Sequence, residues 1–258
     1  MQQTRNGAPA FVTIEGQVAC ITLDRPDQLN PINPEMATTL ARLAREVEQR
    51  SDVRVLVIRG SGRAFCAGGD IGAFAANLDD MAPLVNDILD GHHAFLTTLR
   101  RMPQFVLTSI HGAAAGAGLS LAFMGDMVIA ADTARFTPAY HRLGVSPDGG
   151  GTVGLVQAVG PRRALQIYLA EDGFSAAQAA EWGLVGKVVP ADTLEAETRA
   201  LADRIAGTPL EAIAATKHLV YRSDMALLSG QLDAEREALL ACMRQPFFKA
   251  AVRKFVGS

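Results

Sequence analysis

The chain has 258 residues, 49% apolar and 20% charged, with a net charge of −3. That length suits one large domain, or a core with an appendage, and the scattered basic residues exclude an electrostatic case for nucleic-acid binding. Cys20, Cys66 and Cys242 form no CxxC pair and the five histidines fall in no ligand spacing, so reduced thiols, a cytoplasmic location and no metal are expected.

The N-terminal stretch "MQQTRNGAPAFVTIEG" lacks the basic and apolar blocks of a signal peptide. "FVTIEGQVACITLDRP" alternates as two strands around Glu15-Gly16-Gln17 and reads as a β-hairpin. "NPEMATTLARLAREVEQR" has the apolar spacing of an amphipathic helix, with Asn33 as N-cap and Pro34 at the first helical position. "VRVLVIRGS" reads as a buried strand. After "RAFCAGGDIGAF" a helix is expected from Met81 to Arg101.

"VLTSIHGAAAGAGLSLAFMGDMVIAAD" comes next and bears no formal charge before Asp126. Its length and small residues would suit a membrane span. Ser109, His111 and Asp126 argue against one, and the composition changes along it from strand-like to helix-like to strand-like. A strand, a glycine turn, a short buried helix and a second strand account for that change better. Within it, "HGAAAGAG" approaches the glycine turn of short-chain dehydrogenases. That turn should follow the first strand, whereas this one lies past residue 110, and the companion Tyr-x-x-x-Lys is absent.

Beyond it, "ARFTPAYHRLGVSPDGGGTVGLVQAVGPRRALQIYLA" reads as a strand, a glycine turn and two helices. From Leu194 onward "LEAETRALADRIAG", "PLEAIAATKHLVYRS" and "MALLSGQLDAEREALLACMR" all read as helical. The chain therefore divides into an α/β core over residues 1–190 and a helical region over 191–258. "RAFCAGGDI" repeats the logic of the later glycine turn: a strand ends at small residues that open a helix, and such turns leave backbone N–H groups unpaired. Two facing turns would give two donors for one oxygen, an oxyanion hole.

On these segments the chain resembles the crotonase superfamily, the enoyl-CoA hydratases and isomerases, over nearly its whole length. "LDRPDQLNPINPEM" is similar to the family's opening loop and helix, and "FCAGGDI" to its first oxyanion segment. "IHGAAAGAGLSLAFMGDMVIAADTARFTPAYHRLGVSPDGGGT" is similar to the second oxyanion segment and catalytic region, and "FSAAQAAEWGLVGKVVP" to the stretch before the helical tail. The resemblance implies a spiral of ββα units followed by trimerising helices, acting on coenzyme A thioesters as a homotrimer or dimer of trimers. It places the oxyanion donors at the N–H groups of Ala67 and Ala117, and coenzyme A along Arg25 and the turn of Ala67, Gly68, Gly69, Asp70 and Ile71. Coenzyme A would enter as part of the substrate, with no separate cofactor.

Hydratases of the family hold a water between two glutamates, and those positions are Ser120 and Tyr140 here. Neither ionises usefully near neutral pH, since a tyrosine needs about pH 10. One acid remains, Asp148 in "GVSPDGGG", where family members that shift double bonds or open a ring beside the thioester carry an aspartate. Isomerisation needs only one group that takes a proton from one carbon and returns it to another. Alternatively, Asp148 caps the helix that follows. The resemblance also leaves open an aromatic-acyl-CoA dehalogenase, with Asp148 as nucleophile, His93 as base and Tyr140 as the aromatic residue. Hydration by another route and a non-catalytic acyl-CoA binder stay open too. Lys217 or Lys254 would reach coenzyme A phosphates. Leu227, Leu228, Leu232, Leu239 and Leu240 exceed what the tail can bury alone and point to subunit contacts.

Overall fold

The alternating apolar residues of the first hairpin form β1 (Ala10–Glu15) and β2 (Val18–Leu23). The computed structural model describes residues 7–257 apart from the side chains of 223–226, so the first six residues of the stretch read for a leader lie outside it. Helix α1 (Pro34–Glu48) starts where the sequence puts it. Pro34 opens it, and the Asn33 side chain accepts from the Met36 N–H at 2.9 Å. Strand β3 (Val55–Gly60), helices α2 (Ile71–Ala76) and α3 (Met81–Arg101) and strand β4 (Phe105–Ile110) follow.

The uncharged stretch resolves into β4, a three-residue strand β5 (Ala113–Ala115), a short helix α4 (Ala117–Ala122) and β6 (Met127–Ala131). No helix among the described residues is long and apolar enough to cross a membrane. Strand β5 was not expected, because alanines are poor strand formers. Pairing on both sides overrides that preference: Cys66 bridges Ala114, and β7 (Arg135–Thr137) runs parallel on the other edge.

Helices α5 (Tyr140–Leu143) and α6 (Gly151–Ala170) come next, then β8 (Phe174–Ser175), α7 (Ala176–Glu181) and β9 (Lys187–Val189). The two helices expected after the glycine turn are the halves of α6, broken at Gly160 just before Pro161. The large sheet has the order β1-β2-β3-β4-β6-β9, with β1 antiparallel to β2 and the other neighbours parallel. The small sheet is β5-β7-β8. Because β4 and β6 lie in one sheet and β5 and β7 in the other, the chain winds between them. That winding is the spiral expected from the resemblance.

Three helices complete the chain: α8 (Leu194–Ala206), α9 (Leu210–Met243) and α10 (Pro246–Val256). Helix α8 covers β2, β3, β4 and β6, while α9 lies on α3 and α6, and α10 on α2 and α5. The sequence splits α9 in two after Ser223, yet it runs unbroken for 34 residues, and α10 lies at the end of the region expected to be helical. The expectation about the tail leucines needs correction. Leu228, Leu232 and Leu239 are buried within the chain itself, and Leu240 is partly buried. Of the five, Leu227 is the exposed one, at 67%.

Candidate active site

Two small-residue turns meet because glycine lets their backbones touch. A Cβ on Gly118 would lie 2.3 Å from the Cys66 carbonyl oxygen, and one on Gly112 would lie 2.0 Å from that of Arg63. Paired hydrogen bonds lock the approach: Cys66 N–H donates to Ala113 and Ala115 N–H to Cys66, at 3.1 and 2.9 Å. Gly116 N–H then donates to Thr137 on β7 at 3.0 Å, which fixes the start of α4. Ala117, the first residue of α4, keeps an N–H with no partner among the described residues, as helix starts do.

The first turn differs from expectation in one residue. Ala67 N–H donates to the Leu29 carbonyl at 2.9 Å and is not available to a ligand. The Gly68 N–H faces the Cys66 sulfur, and the Asp70 N–H donates to Ile32 at 3.1 Å. Between Ala67 and Asp70, the N–H without a partner among the described residues is that of Gly69. Strand-like pairing of residues 29–32 with this turn consumes alternate amides, and the partner strand was invisible in the motif.

Asp70 and Ile71 open α2, with Asp70 as its N-cap: Oδ1 accepts from the Ala73 N–H at 3.1 Å. Arg25 donates from Nη1 to Asp70 Oδ2 at 3.0 Å and to the Pro31 carbonyl at 3.1 Å. Its guanidinium thus braces the first turn against the opening loop.

Asp148 sits at the other side of α4. Its carboxylate is not a helix cap: α6 begins at Gly151 behind Gly150, with no capping side chain from its own N-terminus. Instead Oδ1 accepts from the Tyr140 hydroxyl at 2.7 Å. Tyr140 in turn contacts the Ser120 hydroxyl at 2.9 Å. Since the single phenolic proton goes to Asp148, Ser120 is the donor to Tyr140. The three residues form one directed chain, Ser120 to Tyr140 to Asp148. Ala139, in the left-handed region at φ 60°, turns the backbone so that Tyr140 faces inward.

Burial raises the Asp148 carboxyl to about 6. The Tyr140 hydrogen bond pulls it down, and the charge of Glu235 pushes it up. Tyr140 is pushed well above the usual phenol range, chiefly by burial, so it stays a donor. The Tyr168 hydroxyl is buried near Ser120.

The histidine beside this group is His92, not His93. The His92 Nε2 would lie 2.9 Å from a Cβ on Gly149, and both of its ring nitrogens are buried without partners among the described residues. His93 faces away toward Arg236, Asp233 and Asp90, and borders a cavity of about 230 Å³ with Arg45 and Thr97. Burial holds His92 at about 3 and His93 at about 4, so both are neutral and weakly basic. One helical position separates the two, and sequence alone cannot tell which faces inward.

Lys217 also departs from expectation. It is buried and bonded to Asp126 at 2.8 Å and to the Gln104 carbonyl at 2.6 Å, so it cannot reach a phosphate. Lys254 is exposed on α10. Glu235, which the sequence did not single out, accepts from the amides that start α6, at 2.8 Å from Gly150 and 3.0 Å from Thr152. The described residues hold no cluster of three or more metal-ligating side chains.

An α/β spiral whose paired turns offer free amides near one raised carboxyl defines the crotonase class of protein. The chain belongs to the enoyl-CoA hydratase/isomerase family, whose model matches residues 13–257. It is 35% identical over 247 residues to a 1,2-epoxyphenylacetyl-CoA isomerase of Escherichia coli, covering 95% of this chain and 94% of that one. It is likewise 35% identical to a probable enoyl-CoA hydratase of Rhodobacter capsulatus, covering 93% and 91% of the two chains. Among solved structures, an enoyl-CoA hydratase of Mycobacterium avium subsp. paratuberculosis superposes with a TM-score of 0.88 at 30% identity, over 97% of this chain and 96% of that one. A putative enoyl-CoA hydratase of Thermobifida fusca, solved with acetoacetyl-CoA, gives 0.76 at 33% identity, over 91% and 95%.

Proposed function

We propose that the protein isomerises an enoyl-CoA thioester, moving a double bond or opening a ring beside the thioester carbonyl. The Gly69 and Ala117 N–H groups receive the carbonyl oxygen and stabilise the enolate, and Asp148 carries the proton between carbons. The observation that supports this most is the solitary state of Asp148. It is a raised carboxyl with hydroxyls, not a second carboxylate, at the Ser120 and Tyr140 positions. Glu235 is committed to backbone amides and cannot hold a water opposite it.

A pKa of about 6 leaves Asp148 mostly ionised at pH 7 yet basic enough to accept a proton. By contrast, the low basicity of His92 disfavours a hydrolytic dehalogenase route, which needs a histidine to activate water. The similarity to a 1,2-epoxyphenylacetyl-CoA isomerase favours isomerisation in the same direction. We place the enzyme in the cytoplasm as a homotrimer or dimer of trimers, a reading supported by three free cysteines and by exposed apolar residues on the outer helices.

The test is a panel of purified acyl-CoA thioesters followed by mass and double-bond position, with Asp148→Asn as control. A 3-enoyl-CoA should be isomerised, and Asp148→Asn should lower that turnover by roughly 10²–10⁴-fold. Crotonyl-CoA should be hydrated with kcat/KM below about 10⁴ M⁻¹s⁻¹. Efficient hydration, or an Asp148→Asn variant that turns over like the parent, would remove the reading.

A further inference from the structure

Helix α6 begins three residues after Asp148, and its first amides need an acceptor. The Asp148 carbonyl accepts from Gly151 N–H at 3.2 Å, but its carboxylate is turned to Tyr140 and caps none of them. The acceptor for the amides on either side, those of Gly150 and Thr152, comes from α9, 85 residues beyond Gly150. Glu235 Oε2 accepts from Gly150 N–H, and Oε1 accepts from Thr152 N–H and from the Thr152 hydroxyl. Glu235 is 3% exposed. Gln231, one turn earlier on α9, donates to the same Thr152 oxygen at 2.8 Å. Arg236, the next residue, ties α9 to α3 through Asn86 at 3.1 Å and Asp90 at 2.6 Å.

Gly149 and Gly150 are both left-handed, at φ 65° and 73°, and carry no side chain to hold the turn. The turn closes through one backbone bond, Gly151 N–H to the Asp148 carbonyl at 3.2 Å, and its far end is anchored to the rest of the molecule by the Glu235 carboxylate. The same carboxylate supplies charge. Asp148 is faced by Ser120 from α4, Tyr140 from α5, Tyr168 from α6, His92 from α3 across Gly149, and Glu235 from α9. The hydroxyls and the imidazole are neutral, which leaves Glu235 as the group with a formal charge.

We propose that Glu235 is a positioning residue for Asp148, fixing the Gly149–Gly150 turn and keeping a negative charge behind the base. Helix α9 is then part of the proton-transfer machinery, through a residue that touches no substrate. The inference rests on the reading of Asp148 as proton carrier.

The experiment measures isomerisation of 3-hexenoyl-CoA against pH for the full-length parent, Glu235→Gln, Glu235→Asp and Asp148→Asn. Glu235→Gln keeps the size but removes the charge and offers one carbonyl to two amides. Its kcat should fall about 10- to 100-fold with KM changed only a few-fold, and the acid limb of its kcat profile should move to lower pH. Glu235→Asp keeps the charge but withdraws the carboxylate, so kcat should fall while the acid limb stays. Independently of turnover, the Asp148 carboxyl band in infrared difference spectra against Asp148→Asn should titrate at lower pH in Glu235→Gln.

Parent-like kcat and an unmoved limb in Glu235→Gln, whatever its melting temperature, would reduce Glu235 to a structural cap and overturn the proposal. Should Glu235→Gln not fold, parent-like kcat in Glu235→Asp overturns it equally. An Asp148→Asn variant as active as the parent removes the isomerase reading itself, whereas an inactive Asp148→Asn beside a parent-like Glu235→Gln removes only this inference.

Discussion

The Tyr140 hydroxyl donates to Asp148 Oδ1 at 2.7 Å, and this bond sets both where the carboxylate points and how tightly it holds a proton. A hydrogen bond to the ionised form favours ionisation, so Tyr140 opposes the effect of burial.

Removing that hydroxyl therefore has a definite sign. In Tyr140→Phe the Asp148 carboxyl should rise above its present value of about 6. The acid limb of the kcat profile should shift to higher pH, and turnover at pH 7 should drop while that at pH 9 is better retained. Rates measured from pH 5 to 9 check this, and a limb that moved the other way would contradict the role given to Tyr140.

The same carboxyl links stability to pH. Its folded value, about 6, lies above the unfolded value of 3.8, so the stability it confers is full below about pH 4 and is lost as pH rises through 6. Asp148→Asn should consequently melt higher than the parent at pH 7, with the gap closing as pH falls toward 4. Thermal melts at several pH values read this directly. A parent that melts higher at pH 7 would show that the ionised carboxylate is not under strain.

Lys217 and Asp126 form a buried pair, with side chains 8% and 6% exposed. Asp126 Oδ2 also accepts from Val106 N–H at 2.7 Å, at the start of β4. Lys217→Met leaves that carboxylate without its cation, and should cost about 3–5 kcal/mol. Urea unfolding measures it. Asp126→Asn combined with Lys217→Met should recover part of the loss, because the unpaired charge is then gone.

Assembly is the fourth expectation. Leu165 and Leu169 on α6, Leu219, Val220 and Leu227 on α9 and Phe247 on α10 are each more than 60% exposed. Large apolar side chains exposed to this degree are expected to be covered by another subunit. Light scattering at micromolar concentration should give the mass of a trimer or of two trimers, and a monomer would refute the expectation.

Local signals were readable in the sequence because they act over a few residues. Asn33 and Pro34 mark the start of α1 by rules that need no distant partner. Gly16 and the alternation around it likewise give the hairpin. Where a distant segment decides the outcome, the sequence reading failed. Ala67 looks like a free donor until Leu29 is seen beside it. His92 and His93 differ only in which side of α3 they occupy, and the break between core and tail hides how far α8 and α9 serve the sheet and the site.

Among the points where helix α9 is tied to the core are Lys217 on Asp126 and Glu235 on the start of α6. They are about five helical turns apart, so both emerge from one side of an unbroken rod. Adding or deleting one residue between them would swing Glu235 by about 100° around the axis and slide it by about 1.5 Å. The number of residues in that span thus behaves as a ruler. Homologues able to change it would have to bring the carboxylate from elsewhere, whereas point substitutions on the outer side of α9 leave the measure untouched.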